Sequence, residues 1–244
     1  MHALDALSHT TPWRHRHPGE KAVLAFGLVG AAVALPPWPG ALIVGAVALG
    51  VLLGPLRLRP GQVLRAVRAP MVFVAVGSVP LLVAVGGDPL VRWAPEGLGA
   101  AAALAGRGTA ALLCLILFAA STPLADALPR LERLRVPAAV TEVAALIYRL
   151  LFLLLETAAT VREAQAGRLG FRTWRTTYRC VAAQAVAIFV GAFDRARRLE
   201  QGLALRGYTG SLRVQVEERP MSVPFVVSSV ALVAAVVTAT LVLA

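Results

Sequence analysis

Two arginines close what read as helix ends in the most basic part of the chain: Arg168 in EAQAGRLGF and Arg206 in LALRGYTG, 38 positions apart. A guanidinium keeps its charge at any accessible pH and offers a planar fork of donors. The chemistry open to it is directional binding of carboxylates, carbonyls or phosphates rather than proton transfer. Either arginine alone is accounted for by a cation complementing the helix dipole, with a glycine ending the last turn. Both sequences, however, continue to a glycine and an aromatic residue, Gly170-Phe171 and Gly207-Tyr208. Two such ends in one segment suit a symmetric or pseudo-symmetric partner.

The remaining candidate groups are sparse. Arg107, between Gly106 and Gly108, falls inside an apolar run, where an ionisable residue is a functional candidate by default and a structural pairing is the competing explanation. Arg149 sits in a second apolar run on a stripe with Glu142, Glu156 and Glu163, spaced by seven. His2, His9, His15 and His17 crowd the N-terminus, but no two have the spacing of a metal-binding helix, so solvated imidazoles at a membrane surface outweigh a metal site. Cys114 and Cys180 stand far apart in apolar surroundings and give neither a ligand set nor a disulfide framework. Lys21 is the only lysine, and no glycine-rich phosphate loop precedes it, so the chain does not cradle ATP itself. No residue here is expected to be catalytic, to ligate a metal or to hold a cofactor.

The elements that must position these residues belong in a membrane. Of 244 residues 58% are hydrophobic and 15% charged, and the mean hydropathy is +0.73; a soluble domain does not need so much apolar material. Five apolar runs have spanning character: 22–38, 41–54, 70–87, 99–121 and 221–244. PPWPG between the first two reads as a tight turn with an interfacial Trp. The connecting loops alternate in charge. The N-terminal tail is basic, the first loop neutral, the second basic through Arg57, Arg59, Arg65 and Arg68, and the third slightly acidic. By the positive-inside rule the N-terminus is cytoplasmic.

Residues 122–220 carry 15 of the 24 basic residues and 9 of the 13 acids. The expected division is therefore residues 1–121, a tail and four-helix membrane bundle; 122–220, a cytoplasm-facing region; and 221–244, a final span. Within the middle region residues 137–168 read as one long helix with Pro137 in its first turn. A second, roughly 176–205, puts Val181, Ala185, Ile188, Ala192, Ala196, Leu199 and Leu203 on one face. Two topologies fit these helices: embedded against the membrane, or crossing it at 138–160 and 180–193. The first is favoured because the connection carries Arg168, Arg172, Arg175 and Arg179 without an acid. The fold class expected is an all-α integral membrane protein with about five transmembrane helices plus long membrane-associated helices.

The order STPLADALPRLERLRVPAAVTEVAALIYRLLFLLLE, followed by the two arginine-bearing helix ends, resembles the transmembrane coupling (T) component of energy-coupling-factor ABC transporters. The opening HRHPGEKAVL is similar to the cobalt branch of that family. In the family each coupling helix ends in an Ala-Arg-Gly-like signature. The matching positions here are Gly167-Arg168-Leu169 and Leu205-Arg206-Gly207, so Arg is kept in both and Gly follows it only in the second. The resemblance implies a multi-pass protein of a prokaryotic inner membrane with two ABC-type ATPase subunits and a separate substrate-binding membrane subunit as partners. ATP would sit on the ATPases and cobalt on the membrane partner. It implies no enzyme activity and no nucleic-acid partner. Nickel or a vitamin as cargo, an intramembrane enzyme, and a scaffold using the net charge of +11 are the alternatives.

Overall fold

The computed structural model describes residues 7–85, 91–93, 97–128, 130, 135–208 and 220–243. After a helical turn at residues 7–10, the chain forms α1 (Pro18–Ala34), α2 (Pro37–Leu53), α3 (Pro60–Ser78), α4 (Gly97–Ser121), the single turn α5 (Leu124–Ala127), α6 (Ala138–Gly167), α7 (Trp174–Leu205) and α8 (Val223–Leu243). Between α3 and α4 lie a 3₁₀ turn, Val79–Leu82, and an antiparallel pair of three-residue strands, β1 (Val83–Val85) and β2 (Val91–Trp93). The protein is all-α in class, with one short antiparallel strand pair among the described residues.

Two compact units emerge: residues 1–127 with 217–244, and residues 128–216. In the first, prolines open α1, α2 and α3 at positions where the missing N–H costs nothing. The imidazole Nδ1 of His17 caps α1 by accepting from Gly19 N–H at 3.0 Å. Helix α4 packs against α1, α2 and α3, and α8 against α1 and α2. Their shared core holds Leu24, Leu28, Val44, Leu52, Leu117 and Val236. Small residues let the backbones approach, as association in lipid requires: a Cβ added at Gly27 would lie 3.0 Å from Val233, and one at Gly108 would lie 3.0 Å from Val74.

Two charges lie inside this bundle. Lys21 is fully buried and donates from Nζ to Ser121 O at the end of α4, at 2.7 Å. Glu20 is also buried, and its Oε1 accepts from Ser222 N–H just before α8. The first turn of α1 therefore ties together the ends of two helices that sequence separates from it by 100 and 202 positions.

The described helices revise several sequence expectations. Helices α1 and α2 have 17 residues each, about 25 Å of rise and less than the roughly 30 Å of hydrocarbon. Five helices are long and apolar enough to cross: α3 with its 3₁₀ extension, α4, α6, α7 and α8. Three of the five expected spans correspond, while 22–38 and 41–54 fall in the shorter pair. Helix α3 begins at Pro60, ten residues before the apolar run at 70, so Arg65 and Arg68 are helical rather than in a loop. Pro137 is the N-cap of α6 instead of a first-turn residue. Its φ of −55° fits a helix, but its ψ of 137° is extended. The apolar run to residue 87 ends instead in β1, and most of the third loop lies outside the described residues.

Candidate functional site

The second unit is built on the α6–α7 hairpin. Gln165 donates from Nε2 to Cys180 O at 3.1 Å, Gln184 donates from Nε2 to Ala158 O at 2.8 Å, and Arg195 reaches Thr157 Oγ1 at 3.4 Å. Gly170 allows the close turn, since a Cβ there would stand 2.5 Å from Cys180 Sγ. The packed stripe of α7 passes through Cys180, Gln184, Ile188 and Gly191. Of the face expected by periodicity Ile188, Ala192 and Leu203 are half-buried, while Val181, Ala185, Ala196 and Leu199 are exposed. Within the packed stripe Gln184 bonds to α6, and Arg195 adds a second polar contact. No residue of α7 is buried within the chain.

The two arginine-bearing ends have the same backbone geometry. Arg168 (φ −93°, ψ 15°) and Arg206 (φ −95°, ψ 12°) are the C-cap residues of α6 and α7. Each is followed by a left-handed residue, Leu169 at φ 58° and Gly207 at φ 72°. In the first, Gly170 N–H donates to Gln165 O and Leu169 N–H to Ala166 O, both at 2.9 Å. In the second, Tyr208 N–H donates to Leu203 O at 3.0 Å and Gly207 N–H to Ala204 O at 3.1 Å. Both are Schellman motifs, which satisfy carbonyls that a helix end otherwise leaves open. Leu169 adopts the conformation that glycine takes at the other end, at a cost of about 1–2 kcal/mol for an L-residue.

Arg168 and Arg206 are exposed, and neither side chain has a hydrogen bond or ion pair among the described residues. Around them Leu169 is 68% and Leu205 90% exposed; Gly167 has open space beside it. The structure does not bring the two ends together. Arg168 stands at the hairpin, just before α7, and Arg206 at the far end of α7. The 32 residues between Trp174 and Leu205 span about 48 Å. Arg172, Arg175 and Arg179 add charge near the start of α7, which has no acid in its first turn. Cations oppose the dipole there, a local conflict of the kind found where function overrides stability.

The other candidates have quieter surroundings. Arg107 donates from Nη2 to Leu35 O, the C-cap of α1, at 2.9 Å. Arg149 is exposed on α6. His17 serves as a cap, His9 and His15 are exposed, and His2 lies outside the described residues. Among the described residues no three His, Cys, Asp or Glu side chains gather as a metal site would need. Both cysteines are free thiols. Sequence reasoning missed the buried pair Glu20 and Lys21, whose partners are remote in sequence.

Fold and site define a class: a multi-pass α-helical membrane protein that presents a hairpin of long helices with matched cationic ends. The sequence profile of the cobalt transport protein family CbiQ matches residues 10–217. The chain belongs to that family, the energy-coupling T component of energy-coupling-factor transporters. It is similar to the cobalt transport protein CbiQ of Rhodobacter capsulatus, 39% identical over 92% of this chain and 91% of the relative. It is also similar to CbiQ of Salmonella typhimurium, 26% identical over 88% of this chain and all of the relative. A fused cobalt transport protein CbiMQ of Methanocorpusculum labreanum is 24% identical over 89% of this chain, which covers 38% of the fusion.

Proposed function

We propose that the chain is the energy-coupling subunit of an ATP-driven cobalt importer of a prokaryotic inner membrane. It has no catalysis of its own and transmits ATPase closure to a separate metal-binding membrane subunit. The observation that carries this reading is the pair of matched, unpartnered arginine caps at Arg168 and Arg206. Each end would seat in a groove of one ATPase, with Gly167 and Leu169, or Leu205 and Gly207, against its rim. A separation of about 48 Å suits two subunits rather than one pocket. ATP-driven closure of the ATPase pair then shifts the ends relative to each other, and α6 and α7 carry that movement to the membrane partner. The Methanocorpusculum labreanum relative, named as a fused cobalt transport protein CbiMQ, supports a second transport component beside this chain.

This mechanism requires a particular topology. If α7 crossed the bilayer, Arg168 and Arg206 would lie on opposite sides, and cytoplasmic ATPases could reach only one. The reading therefore places α6 and α7 against the cytoplasmic face, with residues 122–220 as the coupling region between the bundle of 1–121 and the span of 221–244. The basic N-terminal tail is cytoplasmic as well.

Affinity purification of the tagged chain from its own membrane, followed by mass measurement of the intact complex, tests this assignment. The expected composition is one coupling subunit, two ATPase subunits and a metal-binding membrane subunit. Recovery without any ATPase after crosslinking would refute it.

A further inference from the structure

A separate polar cavity lies in the first unit, where α2 ends and α3 begins. It measures about 320 Å³ and is lined by Thr10, Thr11, Leu56, Arg57, Arg59 and Gln62, among others. That volume is at the small end of ligand pockets. The loop that makes it is firmly held. Leu56 N–H donates to Val51 O, Arg57 N–H to Gly54 O and Leu58 N–H to Leu52 O, at 3.0–3.1 Å. Leu56 and Leu58 are buried, so the alternation Leu-Arg-Leu-Arg turns both arginines outward.

Arg57 holds a left-handed backbone at φ 53°, unusual for a residue with a long side chain. Neither guanidinium has an acidic partner among the described residues. Gln62 caps α3 by accepting from Arg59 N–H at 3.0 Å through Oε1, which leaves its amide N–H groups as donors. The Thr10 and Thr11 hydroxyls donate to backbone carbonyls and retain lone pairs that accept. A pocket with two cations, amide donors and hydroxyl acceptors matches a phosphodiester carrying a hydroxylated head.

The position selects the source. The pocket lies where α2 ends and α3 begins, and α3 with its 3₁₀ extension is long and apolar enough to cross a membrane; basic pockets beside the ends of such helices take up anionic lipids. Leu53, just before it on α2, and Leu64, in the first turns of α3, are exposed leucines that offer a track for acyl chains. We infer that this cavity binds the headgroup of an anionic phospholipid of the phosphatidylglycerol class, through Arg57, Arg59 and Gln62.

The test is native mass spectrometry of the full chain in neutral detergent, titrated with phosphatidylglycerol, phosphatidylcholine or glycerol phosphate. The expected result is one retained phosphatidylglycerol, bound about tenfold more tightly than phosphatidylcholine. The double variant Arg57→Gln/Arg59→Gln should lose that preference, and Arg65→Gln/Arg68→Gln, on the neighbouring helix, should keep it. Equal phosphatidylglycerol binding by wild type and the Arg57/Arg59 variant would overturn the site. So would an equal loss in the Arg65/Arg68 variant, which would indicate diffuse charge. Displacement of the lipid by glycerol phosphate would overturn its assignment to lipid and point to a soluble phosphate ester.

Discussion

With Arg168→Glu and Arg206→Glu combined, ATP-dependent cobalt uptake should fall more than a hundredfold while the protein still inserts and folds. Each arginine is exposed and bonds to nothing within the described chain, so its removal leaves no internal group stranded. Reversing a cation at a helix C-terminus costs the helix about 0.6–2 kcal/mol through its dipole, one favourable charge lost and one unfavourable charge added, which the backbone bonds of the Schellman motifs withstand. Seated in an ATPase groove as proposed, the same charge would be desolvated, and truncating a buried interfacial charge typically costs about 2–5 kcal/mol. Two such losses account for the expected fall, and each single variant should give a smaller one. Uptake assays in reconstituted vesicles, beside circular dichroism of the purified chain, check both halves. Wild-type uptake by the double variant would remove the role assigned to these ends.

Lys21→Ala should have the largest effect on stability. The ammonium is fully buried and held by Ser121 O, and the adjacent Glu20 is buried with its Oε2 lacking a hydrogen-bond partner among the described residues. Truncation leaves the buried Ser121 carbonyl without its donor and empties the space of a long, fully buried side chain, together about 3–5 kcal/mol. For a chain of this size that is a fall in Tm of about 6–20 °C. Arg68→Ala, at an exposed position of α3, should change stability by only about 0.5 kcal/mol. Thermal unfolding of both variants in detergent measures the contrast. Equal melting temperatures would contradict the structural role given to Lys21.

How much could be read in advance depended on how local each signal was. The long helices show in sequence because their apolar periodicity and their ends are local features. The second was expected at 176–205 and runs Trp174–Leu205. The run at 99–121 became Gly97–Ser121, and the last span became Val223–Leu243. The start of α3 was hidden because Arg65 and Arg68 interrupt hydropathy without interrupting a helix. The packed face of α7 was legible only in part, through Ile188, Ala192 and Leu203, because polar Gln184 also bonds to α6 and a scan for apolar stripes passes over it. Lys21 read as one more charge in a basic tail, because its bond to Ser121 spans 100 positions. The arginine caps were legible as residue types and spacing. Their shared φ and ψ, and their placement at opposite ends of α7, required coordinates.

On the proposed mechanism both cationic ends meet ATPases on one side of the membrane. Photo-crosslinking side chains placed at Leu169 and at Leu205, exposed neighbours of the two arginines, test it directly in intact membranes. The account predicts that each position alone links to an ATPase subunit, and that both together give a product carrying two ATPases. Crosslinking from only one position, with the other labelled by an impermeant reagent from outside the cell, would place α7 across the bilayer and contradict it.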